Sequence, residues 1–159
     1  DSNKRWLKNL VPVIKADGFW VVHGAPRDPT FFNAYVYQMT YSKNLDFMED
    51  NDISICFHGH THIPGAYIRS QKNQDYHDTA TTLALTPNIK CVLYCPGSVG
   101  QPRNQSAMAH YAIWDKSNNT IESREVEYDM QGVVNEMYKH NFPDFVRLHL
   151  EKQLLNKSG

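Results

Sequence analysis

Two short apolar runs that each end in histidine constrain the fold of this chain more than any other feature. Residues 53–57 are nearly all apolar and lead directly into residues 58–62, which contain three histidines. Residues 19–22 form a second apolar run, which leads into His23. Apolar runs of this kind are typical of strands covered on both faces. The pattern therefore predicts a layered α/β fold with histidines gathered beyond the carboxyl ends of strands, where sites form in such sheets.

The histidines themselves indicate a metal site. Imidazole is the commonest metal ligand because it can bind an ion while neutral. If side chains keep alternating beyond residue 57, then His58, His60 and His62 point the same way. A surface turn that happens to contain histidines is the simpler alternative, and the spacing alone leaves both readings open.

Composition limits the classes to which the chain can belong. Its 159 residues, 41% of them apolar, suffice for one domain with a core, and we assign residues 1–159 to a single domain. A net charge of -1 predicts no non-specific binding to nucleic acid or to an anionic membrane. No apolar run approaches the roughly 18 residues of a membrane span. The 3 cysteines form no CxxC pair, which argues against a disulfide framework and favours a cytoplasmic location.

Hydrophobic periodicity predicts the order of the helices and strands. We expect helices at residues 3–16 and 31–50, and two terminal helices within about 129–155, near 129–140 and 143–155. We expect strands at residues 19–22, 53–57, 66–69, 108–114 and 120–126, a polar loop at 70–78, and a hairpin of 79–85 with 89–94.

Three further segments follow one another along the chain: His23-Gly24-Ala25-Pro26, Gly59-His60-Thr61-His62, and Cys95-Pro96-Gly97-Ser98-Val99-Gly100-Gln101-Pro102-Arg103. The first resembles the single-His block of the calcineurin-like metallophosphoesterases, and the second matches their Gly-His-x-His block. The third resembles the Asn-Pro-Gly-Ser-Val-Gly-x-Pro-Arg signature of a bacterial branch, which contains phosphodiesterases and diadenosine-tetraphosphatase-like proteins. The resemblance covers nearly the whole chain and rests on three motifs in the same order.

The resemblance implies a double β-sheet sandwich flanked by helices and a centre of two divalent metal ions, drawn from Mn, Fe, Zn, Ni and Mg. By motif position, His23 and His60 would bind one metal and His62 the other. The implied activity is hydrolysis of a phosphomonoester or phosphodiester by a metal-activated water. The partner would be a small phosphorylated substrate, a nucleotide being one option.

The family's first three blocks, Asp-x-His, Gly-Asp-x-x-Asp and Gly-Asn-His-Asp/Glu, do not precede Asp1. The bridging Asp and the acid/base His that the resemblance implies are therefore absent, and Cys95 stands where the signature has Asn. We expect the chain to be the C-terminal part of a longer enzyme and to be inactive alone. Alternatives are an inactive binding scaffold of this fold, one subunit of a two-chain assembly, and a mononuclear zinc hydrolase. A homo-oligomer is also left open.

Several other polar residues have both a functional and a structural interpretation. Arg103 offers a planar fork of donors for a phosphate, or it is a structural Arg, and Arg27 is a further candidate. His58 would orient a metal ligand, or it is an ordinary strand-end His. Asp75 and His77 have Asp-x-His spacing, but a polar loop explains them better.

Aromatic residues are prominent in the predicted helix 31–50, where Tyr35, Tyr37 and Tyr41 could line a base-stacking pocket together with Phe31 and Phe32. Aromatics at helical spacing are more typical of a core, which is our prediction for this segment. We expect His110 to be an ordinary surface or loop residue.

Overall fold

The computed structural model describes residues 2–31, 33–104 and 106–157. Within these ranges the chain forms four helices and nine strands. In chain order they are α1 (Ser2–Lys8), β1 (Val13–Ala16), β2 (Phe19–Val22), α2 (Tyr41–Asp50), β3 (Ile55–Phe57), β4 (Gly65–Ser70), β5 (Asp75–Asp78), β6 (Thr82–Ala84), β7 (Ile89–Cys95), β8 (Ala109–Asp115), β9 (Thr120–Val126), α3 (Met130–Lys139) and α4 (Asp144–Lys157).

The strands of the described residues form two sheets. The larger sheet has the order β1-β2-β3-β7-β4-β5, and the smaller has the order β6-β9-β8. Strands β2, β3 and β7 run parallel at the centre of the larger sheet, whereas the flanking pairs are antiparallel. Both pairings of the smaller sheet are antiparallel. The two sheets and their helices confirm the predicted double-sheet sandwich.

The core lies on both faces of the larger sheet. On one face, Leu45 and Met48 of α2 are fully buried against Cys56 and its neighbours in the central strands. On the other face, residues such as Ile55 pack towards Ile121 of the smaller sheet. Adjacent residues of β3 thus face opposite layers, which explains why this strand needs a continuous apolar run. Burying a Leu or Met side chain stabilises the fold by about 1.5–3 kcal/mol, so the layers hold the central strands firmly in register.

The terminal helices form a smaller cluster of their own. Met130 and Val134 of α3 are buried against Leu150 of α4. Asp129 caps α3 by accepting a hydrogen bond at 2.8 Å from the backbone N–H of Gly132. These helices confirm the prediction for residues 129–155, and β9 coincides with the predicted strand at 120–126.

The predicted helix over residues 3–16 is wrong in its second half. Helix α1 ends at Lys8, and Val13–Ala16 pairs antiparallel with β2 as an edge strand. Pro12 has no N–H to donate and clashes with a preceding turn, so the helix cannot pass through it.

The predicted helix over residues 31–50 is also too long. Only Tyr41–Asp50 is helical, and the preceding described residues form turns and irregular structure. Phe32 lies outside the described residues. The aromatic side chains of this segment therefore do not share one face of a helix.

Two further predictions are wrong, one of a loop and one of a hairpin. The predicted polar loop at 70–78 contains β5, which pairs with β4. The predicted hairpin of 79–85 with 89–94 does not form, because β6 joins β9 in the smaller sheet while β7 lies between β3 and β4. The apolar run of β7 suits a central position covered on both faces.

No helix among the described residues is long and apolar enough to cross a bilayer.

Candidate metal centre

Two parallel strands bring the predicted histidines to one edge of the larger sheet. β2 ends at Val22 and is followed by His23, and β3 ends at Phe57 and is followed by residues 58–62. The strands pair in parallel, so these segments emerge side by side. The backbone N–H of Gly59 donates to the carbonyl of His23 at 2.9 Å and ties the two loops together. We call His23, His60 and His62 the imidazole site.

The rings of His23 and His60 face each other closely. His23 Nε2 lies 3.1 Å from His60 Nδ1, and the ring planes meet at 67°. Two imidazole nitrogens bound to one ion at about 2.0–2.1 Å, with bond angles near 90–110°, lie roughly 2.9–3.4 Å apart. The observed separation therefore fits two ligands of one ion, and it equally permits one proton shared between the rings.

Backbone conformation, not strand alternation, aims these rings. His60 and His62 have φ angles of 63° and 61°, in the left-handed region. Non-glycine residues rarely adopt this region, because it is energetically unfavourable for them. The exceptions cluster at functional sites. The prediction that His58, His60 and His62 point the same way by strand alternation is therefore wrong, because the strand ends at Phe57.

His62 is oriented by the third motif. Its Nδ1 lies 2.8 Å from the carbonyl of Gln101, so the ring donates there and its Nε2 is the nitrogen left to bind a ligand. Desolvation is the largest cause that lowers the pKa of His62; the bond to Gln101 opposes it, and nearby Arg103 lowers the pKa further. His62 is thereby kept neutral, as a metal ligand must be.

The pKa of His23 is lowered as well. Desolvation lowers the pKa of His23, and its neighbour His60 lowers it further. Coulombic repulsion from Arg103, His60 and His23 also lowers the pKa of His62. These shifts favour the neutral forms of His23 and His62.

His58 lies beneath the imidazole site. It is 4% exposed, and burial lowers its pKa to about 4. Its backbone N–H donates to the carbonyl of Tyr94 at 2.8 Å, and its Nδ1 lies 3.2 Å from the carbonyl of Gly59. His58 is therefore a neutral, packed side chain next to the loop that carries His60.

Of the two predicted phosphate ligands, only Arg103 has a described link to the imidazole site. Its backbone N–H donates to the carbonyl of His62 at 3.2 Å, and its side chain is exposed. The backbone N–H of Arg27 donates to Asn44 at 3.3 Å, and Arg27 lines a cavity with Lys43, Tyr35 and Tyr37. In the described residues Arg103 is hydrogen-bonded to the imidazole site and Arg27 is not.

Proteins of known structure resemble this chain in fold. No family model matches the chain. A metallophosphoesterase from Sphaerobacter thermophilus is similar with a TM-score of 0.78 and 27% identity over 96% of this chain and 63% of that chain. A hypothetical protein from Pyrococcus horikoshii OT3 shares the fold with a TM-score of 0.64 and 17% identity, over 94% of this chain and 53% of that chain. The chain has the metallophosphoesterase fold.

An uncharacterized protein of Methanocaldococcus jannaschii is 31% identical over 153 residues, which cover 92% of this chain and 58% of that protein. The chain thus spans 53–63% of the lengths of the three relatives. The comparisons support a place in the metallophosphoesterase superfamily, whose members use divalent metals.

The donor set of the described residues is only partly what such a centre requires. Within these residues there is no group of three or more His, Cys, Asp or Glu side chains placed to hold an ion. The close nitrogen pair fits one ion, and His62 is not grouped with it as a third ligand. Asp75 and His77 are not a ligand pair, because Asp75 is engaged by Arg69 at 2.7 Å and 2.8 Å.

The predicted position of His110 is wrong. His110 is 2% exposed, which corrects the prediction of a surface or loop residue. Its backbone N–H donates to the carbonyl of Ser98 at 3.0 Å, and a Cβ at Gly97 would lie 2.7 Å from its Cβ. Ser98 Oγ in turn accepts the backbone N–H of Gln101 at 3.0 Å. His110 thus supports the loop that orients His62, a role that inward-facing positions of β8 could have suggested.

The cysteines are buried thiols. Cys95 Sγ lies 3.3 Å from Thr61 Oγ1, and burial raises the pKa of Cys95. Cys56 and Cys91 are also free and buried, and burial raises their pKa values to about 12 and about 11. Protonated buried thiols are poor metal ligands and nucleophiles, so Cys95 ties the Thr61 loop to β7 instead.

Proposed function

We propose that this chain belongs to a metal-dependent phosphoester hydrolase, a phosphomonoesterase or phosphodiesterase with a dinuclear centre. The observation that carries the proposal is the 3.1 Å separation of His23 Nε2 and His60 Nδ1 at the ends of two parallel strands. The likeness to a metallophosphoesterase supports it. In this proposal His23 and His60 hold one divalent ion, and His62 Nε2 binds a second.

Two divalent ions of Mn, Fe, Zn, Ni or Mg would, when bound, polarise the phosphoryl group and activate a water for in-line attack. The chain's own residues would orient the metal ligands and position the phosphate. The Gln101 carbonyl fixes the tautomer and direction of His62. Arg103 is the proposed phosphate contact, since its planar fork of N–H donors matches phosphate oxygens. His58 packs beneath the loop and is the proposed support of the ligands.

The remaining ligands must be oxygen donors. Two divalent ions about 4 Å apart repel strongly, and carboxylates normally offset that repulsion. The described residues gather no such carboxylates at the site. We propose that they come from sequence outside these 159 residues, so that this chain supplies the His-rich, C-terminal part of the domain. The greater length of the relatives supports this arrangement.

In the proposed enzyme the substrate is a small phosphorylated molecule. The bacterial phosphodiesterase or diadenosine-tetraphosphatase-like branch is part of the proposal and rests on the third motif. The chain by itself would be inactive.

The test compares the full-length protein with its His60→Ala variant, using metal content and hydrolysis of a chromogenic phosphodiester and phosphomonoester. We expect two bound ions in the wild type and loss of about one ion in the variant. Activity should fall by at least about 100-fold, more than the roughly 10–100-fold that loss of an outer-shell partner costs. A wild type with one ion would instead indicate the mononuclear zinc hydrolase.

The matched control is His140→Ala, because His140 is 64% exposed at the end of α3. It should keep metal content and activity. Full activity in His60→Ala with the fold intact would refute the hydrolase proposal, and a wild type that binds no metal would indicate a binding scaffold.

A further inference from the structure

A cavity of about 260 Å³ lies directly beside the imidazole site. Tyr35 belongs to both, since it lines the cavity and its ring lies 5.3 Å from that of His60, at 79°. His58 and Thr61 contribute to the lining from the loop that carries His60. The cavity and the imidazole site are therefore immediate neighbours, joined through Tyr35.

The walls of the cavity are aromatic and are held by other rings. Tyr35 lies 5.6 Å from Tyr37, and Tyr67 lies 4.7 Å from His77. Tyr67 is also stacked on Tyr41 at 4.4 Å with an interplanar angle of 2°. The tyrosines at 35 and 37 thus do not form the core that the sequence predicts, and with Tyr67 and His77 they frame a preformed aromatic slot.

Close packing of the backbone fixes Tyr35 in this position. A Cβ at Gly24 would lie 2.3 Å from the carbonyl oxygen of Ala34, so only glycine allows the two segments to approach. Gly24 directly follows His23, and Ala34 directly precedes Tyr35. The same contact therefore positions one imidazole and one wall of the cavity.

The described lining of the cavity lacks the Arg and Lys side chains that commonly hold a phosphate. Among its described residues there is no Asp, Glu, Lys or Arg. The Thr61 hydroxyl at its floor is engaged with Cys95, and Tyr37 and Ile63 are 42% and 48% exposed and form the rim. Such a surface suits the flat apolar face of a ring.

We propose that this cavity binds one planar aromatic ring system of the substrate, so that the substrates are aryl or nucleoside phosphoesters. This inference rests on the proposed function. At about 260 Å³ the cavity is smaller than the roughly 300–1,000 Å³ of sites for drug-sized ligands, so it accommodates one ring system and not a second base. The phosphate remains at the imidazole site, and the ring is the group that the cavity recognises.

The test measures binding to the full-length protein by calorimetry in the presence of Mn²⁺, with two matched pairs of probes. Adenosine 5′-phosphate is compared with ribose 5-phosphate, and phenyl phosphonate is compared with methyl phosphonate. Each pair differs only in the ring system beside the same phosphorus group. We expect the ring-bearing member of at least one pair to bind about fivefold to 100-fold more tightly. This ratio corresponds to the free energy of stacking one base on an aromatic side chain. The pair with the larger difference identifies a nucleoside or a simple aryl group.

Tyr37→Leu tests the cavity directly, since Tyr37 lies at the rim and does not contact His60 in the described ring pairs. The matched control is Tyr76→Leu, because Tyr76 is also 42% exposed and does not line the cavity. Tyr37→Leu should weaken the ring-bearing probes about fivefold and leave the ring-free probes unchanged. Tyr76→Leu should change neither.

The outcomes separate this inference from the proposed function. Equal affinity within both pairs, or equal loss for both members in Tyr37→Leu, overturns the aromatic cavity even if phosphoesters are hydrolysed. Ring-dependent binding in a protein that hydrolyses no phosphoester leaves the cavity intact and overturns the hydrolase.

Discussion

Two polar clusters on the larger sheet differ in how their charges are balanced. The Arg69 cluster consists of Arg69, Asp46, Glu49, Asp75 and Lys90. Arg69 is 8% exposed and donates to three carboxylates at 2.7–3.2 Å, and Lys90 pairs with Glu49 as well. Each charge of this cluster has an opposite charge beside it, and the cluster requires no further ligand.

The imidazole site shows the contrary arrangement at the other end of β4. Arg103 is the cation beside it, and Arg103 and the other imidazoles lower the pKa of His62. Among the described residues there is no group of three or more His, Cys, Asp or Glu side chains that could hold a metal ion there. The Arg69 cluster is thus complete as an ionic network, whereas the imidazole site presents nitrogen donors with which no described carboxylates are grouped as metal ligands.

The largest expected effect belongs to the imidazole site. His23→Ala in the full-length protein should lower kcat/KM by about 1,000-fold, or about 4 kcal/mol of transition-state stabilisation, because one ligand of the nitrogen pair is lost. Its free energy of unfolding without metal should stay close to that of the wild type, since His23 is exposed. Steady-state kinetics and urea denaturation measure the two quantities. Large destabilisation with retained activity would reverse the roles of the two clusters.

Arg69→Met should show the opposite profile. It leaves three carboxylates without their guanidinium, so we expect a loss of about 2–3 kcal/mol in the free energy of unfolding, below the roughly 3–5 kcal/mol of a fully buried pair because Asp46 and Glu49 are partly exposed. Activity per folded molecule should be unchanged. The control is Arg124→Met, since Arg124 and its partner Glu122 are 45% and 42% exposed and should contribute little. Equal destabilisation by both changes would contradict the structural role of the Arg69 cluster.

Ser98→Ala sharpens the comparison at the loop that orients His62. The change removes the Oγ that accepts the N–H of Gln101, a bond worth about 1 kcal/mol, so kcat/KM should fall roughly two- to fivefold. Ser117→Ala in the exposed β8–β9 turn is the control and should have no effect. An unchanged kcat/KM in Ser98→Ala would show that this bond does not position His62.

The smallest expected effect is the acid response of Glu49. The hydrogen bond from Lys90 lowers its pKa most, and Arg69 lowers it further. A carboxyl whose folded-state pKa is depressed contributes stability above its unfolded pKa of about 4.5 and loses it as the pH falls through the folded value. The stability advantage of the wild type over Glu49→Gln, followed by denaturation at successive pH values, should therefore be constant near neutrality, begin to fall near pH ~4.5, and vanish only below the depressed folded-state pKa. An advantage that is already lost well above pH ~4.5 would contradict the charge pairing.

The elements that the sequence predicts correctly carry their signal locally. β3 and β9 appear where apolar runs or alternation place them, and α4 begins just after Pro143, which suits the start of a helix. The strands that it misses form through hairpin pairing with a neighbouring strand, and an apolar pattern of their own does not mark them. β5 is a polar segment that becomes a strand only by pairing with β4, and β1 does so only by pairing with β2.

Some features of the candidate site are likewise predictable from the sequence, and others are not. The identity of its histidines and their place after two strands follow from residues 19–23 and 53–62. Their aim does not, because His60 and His62 leave strand geometry through left-handed backbone angles. The support from His110 and the aromatic wall from Tyr67 also depend on loop packing, since His110 of β8 donates to Ser98 in a loop and Tyr67 meets Tyr35 only across the cavity.

The sequence by itself determined the layered α/β class and the donor atoms at the strand ends, because burial period and imidazole chemistry are properties of short segments. Only the tertiary structure decided that His23 and His60 meet at 3.1 Å, that Gln101 fixes His62, and that an uncharged aromatic cavity lies beside them. These features arise from parallel pairing of β2, β3 and β7 and from loop packing, both of which join residues that are distant along the chain.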